Sequence, residues 1–171
     1  AVSRLPNRVH LTGHLNSWLN EPGIGALFLA KFSWLDEIHR KFGYQMRDQT
    51  IKILADKLQQ SLPESFIARI ANTEFAFLLT DADSKEIRHY LQLLIRLINQ
   101  EMLQTGCTPN RDYAIGISER TADVTREILL SQADHALQKA LLENQRSKWF
   151  QAHVEQEFPQ EEWRARLENA I

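Results

Sequence analysis

The sequence is short of the residues that several common functions require. It has one cysteine, Cys107, in 171 residues, so no internal disulfide can form, and no CxxC or Cys/His cluster offers zinc a ligand set. A reducing compartment suits such a chain. No apolar run approaches the about 18–20 residues needed to cross a bilayer, and the N-terminus lacks a signal peptide's apolar segment. The expectation is a soluble, cytoplasmic domain. A basic surplus is missing too: 20 Lys+Arg stand against 22 Asp+Glu, a net charge of −2, with a pI near 6.3. That balance argues against a dedicated nucleic-acid binder.

What remains is enough for one ordinary domain. Apolar residues make up 43% and charged residues 25%, so the chain can bury a core. A loose helical stripe (Val9, Leu11, Leu15, Trp18, Leu19) ends at Asn20-Glu21-Pro22-Gly23. Gly25 to Phe32 is apolar on both sides until Lys31, which reads as a central strand covered on both faces. Leu35, Ile38, His39 and Phe42 repeat at helical spacing and stop at Gly43. A second helix follows from Asp48 on Ile51, Leu54, Ala55, Leu58 and Leu62, closed by Pro63.

Two runs rich in branched and aromatic residues, Phe66–Ile70 and Phe75–Leu79, flank the polar stretch Ala71-Asn72-Thr73-Glu74 and predict a β-hairpin. Asp83 or Ser84 caps a long helix to about Gln104, with Ile87, Leu91, Leu94, Ile98 and Met102 inward. Tyr113 to Ile117 is a strand. A helix from about Thr125 to Glu143 carries Ile128, Leu129, Ala133, Leu137 and Ala140, and a short strand follows at Lys148-Trp149-Phe150. Hairpins mixed with crossover helices indicate an α+β fold, not a doubly wound parallel sheet. Beyond Glu155 the chain is polar until Trp163, Leu167 and Ile171 recur at i, i+4, i+8. We therefore expect a domain over residues 1–152 and a linker helix over 153–171, cut from a longer protein.

Several fragments in this order resemble the GGDEF family, the diguanylate cyclases that join two GTP molecules into cyclic di-GMP. Leu5-Pro6-Asn7-Arg8 is similar to "LTGLPNR", Phe42-Gly43-Tyr44 with Asp48 to "YGHxxGD", and Arg69 to Ala76 to "RxGGDEFA". Ala114 to Ser118 resembles "SIGIA", and Ala133 to Leu137 "ADxALY". The resemblance spans about Ser3 to Phe150. It implies the nucleotidyl-cyclase-like fold: a ferredoxin-like core with a mostly antiparallel sheet of about five strands and helices packed around it.

The departures bear on function. The family holds divalent metal on two carboxylates, one at the end of the first strand and one at the third signature position. Such ions neutralise charge in phosphoryl transfer. Here those positions are Lys31 and Thr73. Lysine cannot ligate magnesium, and a threonine hydroxyl supplies no charge. The signature reads Ala71, Asn72, Thr73, Glu74, Phe75, so side chains stand where paired glycines let the backbone approach a nucleotide. The phosphate-binding lysine and arginine fall at Leu141 and Gln145. The guanine-reading asparagine becomes His39, although its partner aspartate remains as Asp48. The inhibitory RxxD motif would fall at Leu62 and Ser65 and is absent. No magnesium, no other cofactor and no cyclase activity are expected.

The bland readings differ at single residues. Asp48 and Glu74 are residual nucleotide contacts, or else a helix-N-terminal aspartate favoured by the dipole and a hairpin carboxylate. Lys31 attracts a phosphate as a point charge, or snorkels to water. His39 sits on an apolar stripe and reads as a partly buried, hydrogen-bonded side chain. Trp34 and Trp149 are packing residues, Gln145 to Lys148 a solvated turn, and Cys107 an inert loop thiol.

The tail from Glu162 to Ile171 resembles the helix joining GGDEF to EAL phosphodiesterase domains in composite proteins. The resemblance implies an EAL domain downstream in cis, docked through Trp163, Leu167 and Ile171, or a homodimer through the same face. Cyclic di-GMP would be bound by that EAL domain, and the parent would lie at the cytoplasmic face of the inner membrane if it follows LapD-like receptors. CsrD-like regulators of RNA turnover are the other precedent. The expected function is a catalytically inactive regulatory module. The alternative is a GTP-binding sensor that activates the EAL phosphodiesterase, resting on Asp48, His39 and Lys31.

Overall fold

The computed structural model describes residues 5–106 and 113–150. The elements are α1 (Arg8–Leu19), β1 (Gly25–Lys31), α2 (Ser33–Phe42), α3 (Tyr44–Ser61), β2 (Ser65–Ala71), β3 (Glu74–Thr80), α4 (Ser84–Gln104), β4 (Ala114–Glu119), α5 (Arg126–Leu142) and β5 (Ser147–Trp149). Their order is the expected one, and the fold is the expected α+β arrangement. The strands form one sheet in the order β2-β3-β1-β4-β5. All neighbours are antiparallel except β4 and β5, which are parallel.

β1 lies at the centre, and its alternation explains why it is apolar on both sides. Ala26, Phe28 and Ala30 join a core with Leu54, Leu58, Leu94 and Ile98 of α3 and α4. Leu27 and Leu29 join the opposite core, with Leu11 and Leu15 of α1 and Leu129, Ala133 and Leu137 of α5. The helix starts follow capping chemistry. Asn7 accepts from the His10 backbone, Asp83 from Glu86 and Thr125 from Ile128, satisfying amide groups that have no partner within the helix. Among the described residues no helix is long and apolar enough to cross a membrane.

Some positions differ from the expectation. Val9, Phe42 and Ile128 are exposed, not inward: each sits at the margin of its stripe, and Leu11, Ile38 and Leu129 do the packing. α3 begins at Tyr44, not Asp48, because Gly43 at φ 93° both ends α2 and opens α3. That positive φ is the conformation glycine adopts freely. β5 runs one residue earlier than predicted. Arg146 is no solvated turn residue, since its guanidinium lies 4.1 Å from the Tyr113 ring centroid. Burial pushes the Tyr113 hydroxyl up to about 12. Trp34 is a core residue and Trp149 packs partly buried against the same core, as expected. Cys107 lies outside the described residues.

The register defines two ends of the sheet. Lys31 at the end of β1 pairs with Glu74 of β3 and Ala114 of β4, so the β2–β3 turn, the start of α2 and the start of β5 share one end. Gly25, Thr80 and Glu119 mark the other.

Candidate functional site

At the Lys31 end, a two-residue turn, Asn72-Thr73, closes the hairpin between Ala71 and Glu74. It is fastened to the β1–α2 junction by the Phe32 amide, which donates to the Thr73 carbonyl at 2.7 Å. This seats Thr73 deep in the protein, 3% exposed. The Lys31 ammonium then donates to the Thr73 hydroxyl at 2.7 Å, and its Nζ lies 3.8 Å from Asp36 Oδ2. The two residues singled out from the signature and the first strand therefore meet in space. The Lys31 side chain remains 30% exposed, and the strand register brings its amine to a buried hydroxyl that needs a partner.

Arg69 straps the same turn. Its Nε and Nη2 donate to the Asn72 carbonyl at 3.2 and 2.8 Å. Burial and the neighbouring Arg47 charge lower its pKa, while Asp48 opposes them. The guanidinium stays cationic.

Asp48 lies in the second turn of α3, not at a helix N-terminus, so the macrodipole does not account for it. It accepts from Arg47 Nε and Nη2, both at 3.3 Å to Oδ1. Arg47 Nη1 lies 3.2 Å from His39 Nδ1, so the imidazole accepts when Nδ1 carries no proton. His39 is exposed, which corrects the expectation of a partly buried side chain. Sequence reasoning missed Arg47. A signal for it existed, since Arg47 stands at the glycine of "YGHxxGD".

Other expected site residues fall as follows. Glu74 opens β3 opposite Lys31. Ala71 ends β2, and Phe75 is fully buried against Phe32, ring centroids 4.9 Å apart. Leu141 is exposed in the last turn of α5, and the Gln145 amide donates to the Ala140 carbonyl just before β5. At the other end of the sheet, Ser65 donates to the Leu62 carbonyl at 3.0 Å and accepts from the Tyr90 hydroxyl at 2.7 Å. Leu62 is buried. Trp163, Leu167 and Ile171 lie outside the described residues. Among those described, no group of His, Cys, Asp and Glu side chains is arranged to hold a metal ion.

The chemistry of this end follows from its inventory. It offers the cations of Lys31, Arg47 and Arg69, a buried hydroxyl and the carboxylates of Asp36, Asp48 and Glu74. The position between β1 and the hairpin turn presents an ammonium to a hydroxyl, with no anionic oxygen between them.

Residues 1–147 match the family model for the diguanylate cyclase GGDEF domain. Signaling protein YkoW of Bacillus subtilis is 27% identical over 157 residues, which is 87% of this chain and 20% of that protein. The S helix-GGDEF-EAL structure of Vibrio cholerae LapD, bound to c-di-GMP, superposes with TM-score 0.75 at 27% identity, covering 86% of this chain and 35% of that one. The GGDEF domain of Caulobacter crescentus DgcB, in complex with c-di-GMP, gives TM-score 0.69 at 16% identity over 87% and 93% of the two chains. The last likeness speaks for the fold alone. The chain thus spans about a fifth of YkoW and a third of the LapD structure. With the family model covering nearly the whole described fold, and the hairpin signature in its place, the chain belongs to the GGDEF family.

Proposed function

We propose that this domain has lost cyclase chemistry and serves as a regulatory module in a cyclic di-GMP signalling protein. One observation carries the reading: the Lys31 ammonium donates to the Thr73 hydroxyl at 2.7 Å. Those are the positions where the family resemblance puts metal carboxylates. A positive charge at such a position repels a divalent ion by about 4 kcal/mol per unit-charge pair at ~4 Å and an effective dielectric of ~20. No magnesium is held, and the triphosphate loses the ion that would align and neutralise it. Ala71, Asn72, Leu141 and Gln145 act in the same direction, by side-chain bulk at the turn and by lost cations.

The intact core supports a role other than catalysis. Both faces of the sheet are packed, so the domain is a rigid body that can cover or release a neighbour and shift a two-state equilibrium. The neighbour in this reading is an EAL domain in cis, as in the LapD structure, reached through a linker helix at 153–171 that docks with Trp163, Leu167 and Ile171. Cyclic di-GMP is then bound by the EAL domain. The alternative, a GTP-binding sensor, relies on Asp48, His39 and Lys31; the first two already engage Arg47, and Lys31 engages Thr73.

The test is made in the full-length protein. Deleting residues 5–150 is expected to change cyclic di-GMP binding or turnover by the remainder several-fold, measured by calorimetry and product assay. Identical behaviour with and without the domain would contradict a regulatory role.

A further inference from the structure

Core packing holds α1 less firmly than the long helices. It buries only Leu11 and Leu15 of its twelve residues, where α4 buries seven of twenty-one and α5 five of seventeen. Thr12, Gly13, Asn16 and Ser17 in its interior are poor helix formers. Nothing lies within 4 Å of a Cβ built at Gly13, so packing does not require the glycine. Beneath the second half of α1 is a cavity of about 500 Å³, between His14, Ser17 and Trp18 on the helix and Phe66, Leu78 and Thr80 on β2 and β3. The Trp18 indole nitrogen is buried without an acceptor, which costs stability in the docked state.

Two arginines at the end of β4 and the start of α5 make up the deficit. Arg120 Nη1 donates to the Trp18 carbonyl at 3.1 Å and Nη2 to the Glu21 carbonyl, while its guanidinium lies 4.8 Å from the Trp18 ring centroid. Arg126 Nη1 donates to Asn16 Oδ1 at 3.0 Å. A cation on carbonyls at a helix C-terminus also meets the negative end of the macrodipole. The other end has a separate anchor, the Asn7–His10 capping box and the Arg69 amide, which donates to the Pro6 carbonyl at 2.9 Å.

We propose that α1 is a latch that releases from the sheet as one unit, and that Arg120 and Arg126 are the catch. Release separates the stacked rings of His14 and Phe66, 3.7 Å apart, and uncovers the apolar face of β2 and β3 at Phe66 and Leu78. The core on the opposite face, with α3 and α4, stays packed. The open state is the minor one, since Leu11 and Leu15 leave their core. It gives the domain a second surface to present. This goes beyond the regulatory reading above and does not rest on it.

Residue-resolved amide hydrogen exchange on the 171-residue chain tests the latch. A released helix this short does not persist in water, so the amides from Leu11 to Leu19 should exchange together. In the unaltered chain their protection is expected to be at least about tenfold below that of Leu27 to Ala30 in β1. Ile98→Val, in the core that stays packed, should lower β1 protection about threefold or more and leave α1 unchanged. Arg120→Ala should lower both by the same factor, about tenfold, because the lost bonds exist only in the closed state. Protection of α1 equal to that of β1 overturns the proposal. So does Ile98→Val lowering the two alike, or a folded Arg120→Ala variant that leaves α1 protection unchanged. If Arg120→Ala fails to fold, the unaltered chain and Ile98→Val decide by the first two outcomes.

Discussion

Replacing Lys31 and Thr73 together by aspartate is expected to turn a chain indifferent to manganese into one that manganese stabilises. In the native protein the Lys31 amine satisfies the buried Thr73 hydroxyl, and a divalent ion would meet a cation. The double variant removes that charge and sets a carboxylate on each strand end. Without metal, the paired acids repel and one is buried, which costs several kcal/mol. With manganese, each acid gains a hard cation suited to oxygen ligands. A ligand at about 100 times its Kd stabilises by about 2.7 kcal/mol. Thermal melts are therefore expected to show no manganese effect on the native chain. In the variant, a lowered Tm should rise by several degrees with the metal. Either single substitution should respond far less, because one carboxylate remains beside a hydroxyl or an ammonium. A metal-induced shift in the native chain, or none in the double variant, would count against the assignment of these positions.

The second large effect lies away from the site. A Cβ on Gly116 would stand 2.3 Å from both the Ala133 carbonyl oxygen and the Leu137 amide nitrogen. These are backbone atoms of α5 and cannot rotate aside. α5 carries Leu129, Ala133, Leu137 and Ala140 into the core on this face, so it must lift off β4 to admit even a methyl group. Overpacking typically costs about 1–3 kcal/mol and sometimes more. With a backbone clash on this scale, Gly116→Ala is expected at the upper end, lowering Tm by about 10 °C. Gly13 in α1 has nothing within 4 Å of its would-be Cβ, so Gly13→Ala should leave Tm unchanged or raise it slightly. Equal melting of the two variants would refute the packing account. The pair also separates a folding defect from a functional one.

Most of the fold could be read before the structure because its signals are local. The β1 run, apolar on both sides, needed a sheet covered on both faces, and the caps at Asn7, Asp83 and Thr125 mark helix starts in the chain itself. What misled was the margin of each stripe. His39 keeps helical spacing with Leu35 and Phe42 with Ile38, but spacing alone does not say which side of a stripe meets solvent. α3 starts early because a single glycine conformation joins two helices, leaving no polar loop to see. The site was legible in identity and not in contact. That Lys31 and Thr73 stand at departing positions follows from the motifs. That they touch follows from strand register across 42 residues, which no local pattern encodes. Arg47 was overlooked because charge on a helix is usually a solvated face, and only the fold turns it back onto Asp48.

The central claim is that an amine bonded to a hydroxyl has replaced the metal-binding acids. Its most direct test is to incubate the 171-residue chain with GTP and magnesium or manganese and search for cyclic di-GMP by mass spectrometry. No product above a heat-inactivated control is the expected result. Steady accumulation of cyclic di-GMP that disappears when the divalent ion is chelated would contradict it.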